Sequence, residues 1–185
     1  MLEKMAKKLH LYGLWRRICF FCLNHVLQGT KPFACLLKRK LLGSIGCEVG
    51  EGTTIVSPVA IMGTVTIGKN CWINRGFTVH GNGAVRIGDA CDIGPEVAFL
   101  TGGHQIGPSE RRAGEGQSYC IAVEDGCWIG ARSTILGNTI IRHGAVVAAC
   151  ACVTRDVEAD TLVAGIPAKK LRGLDYAEGK AAIKE

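Results

Sequence analysis

IMGTVTIGKNCWINRGFTV, residues 61–79, places Ile61, Ile67, Ile73 and Val79 six positions apart. The same beat extends upstream to Val49 and Ile55, and downstream to Ile87 and Ile93 with Phe99 in the next slot. After a gap it returns at Val123, Ile129, Ile135, Ile141, Val147 and Val153. An α-helical stripe needs apolar residues every three or four positions, so a period of six excludes one. Short strands that stack coil upon coil around one continuous core have this period, and three hexads per triangular coil predict about five coils.

Two irregularities carry information. Between Val79 and Ile87 eight residues replace six, and His80-Gly81-Asn82-Gly83 reads as a corner turn that absorbs the excess. Between Phe99 and Val123 the beat stops for about four hexads. That segment, read as a loop over 100–122, holds Gly102, Gly103, Gly107, Pro108, Gly114 and Gly116 around His104. A long loop inside a compact domain is usually functional, and this one is expected to project from the wall.

Residues 1–43 read differently. Leu, Lys and Arg alternate at mixed three and four spacing, and the pattern breaks near Gly29 and Pro32, so two short helices are expected. Residues 1–40 carry Lys4, Lys7, Lys8, Arg16, Arg17, Lys31, Lys38, Arg39 and Lys40 against the single acid Glu3, within a chain of net charge +6. This is either a solvated basic helix face or an attraction to an anionic surface such as the inner face of a membrane. No apolar run is long enough to span a bilayer. Residues 44–172 form the solenoid domain, and 173–185 a polar tail.

Ten cysteines would suggest a disulfide framework in a secreted chain. The start of the sequence lacks an apolar run ending in a small-residue cleavage site. Cys71, Cys91 and Cys127 fall four places after a beat residue, where other hexads carry Ser133, Thr139, Ala145 and Ala151. Cysteine here reads as a small buried hydrophobe in a reducing cytoplasm. Cys19-x-x-Cys22 and Cys150-x-Cys152 lack a second pair at zinc-site spacing, so no metal is expected.

Four motifs, beyond the hexads, carry a family resemblance: Thr101-Gly102-Gly103-His104, Gly126-Cys127-Trp128-Ile129-Gly130-Ala131, Val153-Thr154-Arg155-Asp156 and Ala164-Gly165-Ile166-Pro167-Ala168-Lys169. With them the chain resembles the hexapeptide-repeat acyltransferases, which include galactoside, maltose and serine O-acetyltransferases. The resemblance implies a left-handed parallel β-helix and acetyl-CoA as co-substrate, without metal. It implies His104 as general base, since an imidazole can take a hydroxyl proton near neutrality. Glu115 then either orients the imidazole, binds a substrate hydroxyl or is an exposed loop carboxylate. Asn74 matches the Asn that binds the acceptor in the galactoside branch, and Trp128 walls the channel. Ala131 and Ala149 match positions whose backbone meets pantetheine, while Thr154 and Arg155 match the nucleotide end. His10 and His25 read as helix-surface residues and His143 as a solenoid corner.

The implied partners are two further copies in a homotrimer, whose flat walls pack about a threefold axis, and a hydroxyl-bearing, carbohydrate acceptor; nucleic acid is not among them. Residues 1–43 do not match the acceptor-binding N-terminal segment of the maltose and galactoside enzymes. The basic start instead resembles O-acetyltransferases of bacterial surface polysaccharides or their lipid-linked precursors. Serine, an amino sugar or an antibiotic remain alternative acceptors. Also open are a non-catalytic β-helix binding module and a γ-type carbonic anhydrase, although the latter needs three clustered histidines and His80, His104 and His143 are scattered.

Overall fold

A computed structural model describes residues 2–174, with side chains from residue 11 onward. The sixfold beat lines the inside of a parallel β-solenoid with three walls. The first wall stacks Glu48–Val49, Thr64–Ile67, Ala84–Ile87, Cys120–Val123 and Thr139–Ile141. The second stacks Thr54–Ile55, Trp72–Ile73, Asp92–Ile93, Trp128–Ile129, Val146–Val147 and Thr161–Ala164. The third stacks Ala60–Ile61, Thr78–His80, Ala98–Leu100, Thr134–Leu136 and Cys152–Val153. Strand side chains alternate between faces, so each hexad sends inward its beat residue and the residue two places before it. Val65 and Ile67 are accordingly buried on either side of exposed Thr66. Phe77 and Phe99 meet in the core with ring centroids 5.5 Å apart. Each fully buried aliphatic side chain of this lining contributes about 1.5–3 kcal/mol.

Five coils are complete, and a sixth begins with Val157, which bridges to Ile141, and with Thr161–Ala164 on the second wall. The sequence reading closes the regular coils at Val153-Thr154-Arg155-Asp156. Val157 escapes it because the step from Ile141 is two residues shorter than a regular coil, which throws Val157 and Val163 off the beat.

The second inward position of each hexad, two places before the beat residue and four after the previous one where the hexads are regular, is not uniformly small. It holds Val59, Val65, Phe77, Val85, Val97 and Ile121 elsewhere, all buried. Only at the corner entering the second wall is it consistently small: Thr53, Cys71, Cys91, Cys127, Ala145 and Thr161. The first four share a task. Thr53 Oγ1 donates to the Gly68 carbonyl at 2.7 Å, Cys71 Sγ to Gly88 at 3.0 Å, Cys91 Sγ to Glu124 at 3.1 Å and Cys127 Sγ to Arg142 at 3.1 Å. Each satisfies a carbonyl of the next coil, so this corner selects a small side chain that can also donate.

The N-terminal segment is one long helix, α1 (Leu2–Phe21), a π-helical turn over Cys22–Val26, and a second helix, α2 (Pro32–Ser44). Gly29 takes a φ of +105° between them and Pro32 opens α2, as the break at those residues predicts. Cys19, Leu23 and Leu42 enter the core. Three polar side chains then bind the open strand edges of the first coil. Arg16 donates to Ile61 and Met62 carbonyls at 2.7 and 2.9 Å. Asn24 exchanges two bonds with Val59, both 2.9 Å. Lys38, 1 % exposed, donates to Ile55 at 2.6 Å and Gly29 at 2.9 Å. Arg16 and Lys38 thus leave the solvated basic face to which the charge count assigns them. At the other end Lys169–Gly173 folds back antiparallel on Thr161–Ala164, so the Ala164–Lys169 motif is a hairpin turn. The tail over 175–185 and the side chains of Lys4, Lys7, Lys8 and His10 lie outside the described part of the structure.

Candidate active site

The segment read as a loop is a β-hairpin. Gly102–Ile106 pairs antiparallel with Ala113–Ser118, with a register shift between His104 and Ile106. Glycine at 102, 103, 114 and 116 hides the alternation that would mark these strands in the sequence. The hairpin is rooted at Thr101, which is fully buried and whose N–H donates to the His80 carbonyl at 2.7 Å. Tyr119 N–H returns to the Thr101 carbonyl at 2.8 Å.

His104 is exposed on the outgoing strand. Its Nδ1 lies 2.9 Å from the Gly114 carbonyl oxygen. A carbonyl only accepts, so in the neutral ring Nδ1 carries the proton and Nε2 keeps its lone pair. The bond falls beside the register shift, and among the described residues the ring's hydrogen-bond partner is this carbonyl and not the Glu115 carboxylate. Glu115 is exposed on the returning strand. His80 and Asn82 join His104 and Gln117 around a cavity of about 560 Å³ at the hairpin base.

Asn74, Trp128, Ala131 and Ala149 come together elsewhere, along a groove of about 650 Å³ on the second wall. Asn74 Oδ1 accepts from Arg75 N–H at 2.9 Å, which turns its amide nitrogen out as a donor. Gly130 N–H is spent on the Val147 carbonyl at 2.7 Å, and Cys150 N–H on Ala131 at 2.9 Å. Among the described residues the Ala131 and Ala149 N–H groups take no part in this ladder. Ala149 is exposed and Ala131 half-buried, so both can meet a ligand amide. The close stacking behind them needs glycine: a Cβ on Gly130 would sit 2.5 Å from Ala149 N.

Two groove residues escape a reading built on motifs. Trp72, Asp92 and Trp128 face each other in register on three successive strands, all exposed. The outer positions of stacked hexads form columns, and following that column across coils is the signal that finds them. Thr154 and Arg155 are exposed on the turn after Cys152–Val153 and line neither cavity. His143 sits at a corner, as expected, with Nε2 3.3 Å from Asp160. His25 is exposed and packs on Phe21. Among the described residues no cluster of three metal-ligating side chains forms, and all ten cysteines are unbridged.

No family model matches the sequence. The chain is 28 % identical over 155 residues to galactoside O-acetyltransferase of Escherichia coli, covering 83 % of this chain and 76 % of that protein. It is 40 % identical over 169 residues to serine acetyltransferase 4 of Arabidopsis thaliana, covering 90 % of this chain but only 41 % of the plant protein. A hexapeptide-repeat acetyltransferase of Vibrio cholerae, solved with acetyl coenzyme A, superimposes with a TM-score of 0.79 at 28 % identity, over 91 % of this chain and 90 % of that one. Coils, corner columns, extruded hairpin and these likenesses agree: the chain belongs to the hexapeptide-repeat acetyltransferases, acyltransferases built on the left-handed parallel β-helix.

Proposed function

We propose that the protein moves the acetyl group of acetyl-CoA to a hydroxyl of a carbohydrate acceptor, with His104 as general base, in a site that a neighbouring copy completes in a homotrimer. The observation that carries this reading is the bond from His104 Nδ1 to the Gly114 carbonyl. It leaves Nε2 as the basic atom on an exposed, projecting strand. There Nε2 takes the acceptor's hydroxyl proton as the oxygen attacks the thioester carbonyl carbon. The tetrahedral oxyanion collapses, the C–S bond breaks, and the proton on Nε2 passes to the departing CoA thiolate. The products are an acetyl ester and free CoA.

The second wall suits the co-substrate. Pantetheine presents amides, and Ala131 and Ala149 offer backbone N–H groups beside a cleft that Trp128 borders. Asn74, at the far end of the same groove, is placed to donate to an acceptor oxygen. Thr154 and Arg155 suit phosphate of the nucleotide, which must extend past the groove to reach them. Within one chain His104 and the groove line separate cavities, which favours a shared site between copies. The galactoside enzyme supports a sugar acceptor by its name. Cysteines spent on carbonyl satisfaction suit a reducing, cytoplasmic setting.

Asp92 favours a second reading. A carboxylate between two exposed indoles suits an ammonium, so an amino sugar or serine is the competing acceptor class. Free-thiol release from acetyl-CoA, measured across neutral sugars, amino sugars and serine, tests both. A neutral sugar turned over best supports the first reading, an ammonium-bearing acceptor the second. No thiol release above the acceptor-free rate with any of them overturns both.

A further inference from the structure

We propose that the N-terminal helical segment docks the protein onto an anionic lipid bilayer. Five apolar side chains of α1 lie open: Leu11 is 66 % exposed, Leu14 50 %, Trp15 43 %, Ile18 44 % and Phe21 61 %. Their spacing of three or four gathers them on one side of the helix. Phe33 and Leu36 add exposed apolar surface from the start of α2, and Val26 from the turn between. An apolar face of this size marks an interaction surface.

Charge decides what covers it. From Lys4 to Cys47 the sequence contains no acidic residue. Arg16 and Lys38 are spent on strand-edge carbonyls. Arg17, Lys31 and Lys40 are exposed on the same helical segment. A second copy seated there through the same face would bring two acid-free basic segments together, at a Coulombic cost. An anionic membrane meets both features at once. The apolar side chains enter the acyl boundary, and each cation near the headgroups contributes about 1 kcal/mol. The attachment lies in the interface plane, since no described helix is long and apolar enough to cross a membrane.

The test is co-sedimentation of the full-length protein with vesicles of phosphatidylcholine alone and of phosphatidylcholine mixed with phosphatidylglycerol. The wild type should pellet with the mixed vesicles, be released by added salt, and bind the neutral vesicles far less. Lys31→Glu with Lys40→Glu, and separately Leu14→Glu with Ile18→Glu, should each weaken binding by roughly tenfold or more. Thermal melting checks that both pairs fold, and the salt series on the wild type needs no variant. Absence of sedimentation with anionic vesicles, or equal binding to neutral ones, overturns the proposal. So does a fall in oligomer size by light scattering in the Leu14→Glu, Ile18→Glu protein without lipid, which would make this face a contact between copies. None of these readouts involves acetyl transfer, so failure here is distinct from failure of the catalytic reading.

Discussion

On the second wall, Trp72, Asp92 and Trp128 stand on strands locked into neighbours above and below. On the hairpin, His104 stands on a two-stranded ribbon joined to the solenoid through Thr101 and Tyr119. The wall's geometry follows from stacking, which leaves backbone donors at Ala131 and Ala149 fixed in place. The hairpin's geometry follows from one local contact, the Gly114 carbonyl on the imidazole. In the proposed reaction the difference separates two jobs: the wall binds, and the hairpin presents the basic atom away from its own groove.

His104→Ala should break that separation most sharply. Turnover should fall about 10²–10⁴-fold while the acetyl-CoA dissociation constant stays near wild type, since only the proton acceptor is removed. Near wild-type turnover in the purified variant would take His104 out of the chemistry. Co-assembly comes next in size. Subunits carrying His104→Ala are mixed equally with subunits carrying Ala149→Trp, each inactive alone. If wall and hairpin of adjacent copies share a site, about one interface in four keeps both intact halves, and about a quarter of wild-type activity returns. No recovery would place the whole site in one chain.

Gly130→Ala sharpens the binding half. Its Cβ meets the Ala149 backbone, which cannot rotate away, so the cost should be about 1–3 kcal/mol. Weaker acetyl-CoA binding and a lower Tm are expected, with turnover at saturation changed less. The smallest effect comes from the corner column. The Cys127 thiol beside it and burial together push Cys91 up to about 11. A raised folded-state value means the folded thiol keeps its proton while the unfolded one, near 8.5, loses it. Stability from this group is therefore full below about pH 8.5 and drains away as pH climbs toward 11. Alkaline melts of wild type should show that decline, and Cys91→Ser should blunt it.

The parts of the molecule that repeat were legible in the sequence, because burial repeats with the chain's own period. The beat by itself places Ile55 to Val153, and with them the corner at His80–Gly83. Val157 and Val163 could not, because a coil two residues short moves them off the beat. The hairpin was legible as an interruption and not as strands, since glycine supplies no alternation. The flanking motif singles out His104 as a candidate, but the partner of its Nδ1 is a backbone carbonyl, which no sequence motif names. Asp92 needed the register between coils. Arg16 and Lys38 looked like charge because their partners are backbone carbonyls far along the chain.

Those two residues, with Asn24, have a consequence for how the protein behaves as a material. A parallel solenoid is an open-ended screw: its last strands offer the same unpaired groups that recruited the strands before them. Here the starting face is plugged by three side chains borrowed from helices, and the finishing face is turned back by an antiparallel strand whose polarity no further coil can copy. Stripped of its helices, the same core would keep a closed finish and expose one open starting face, free to pair with another such face. The N-terminal segment therefore acts as the stopper of the screw at the one end that the fold does not close by itself.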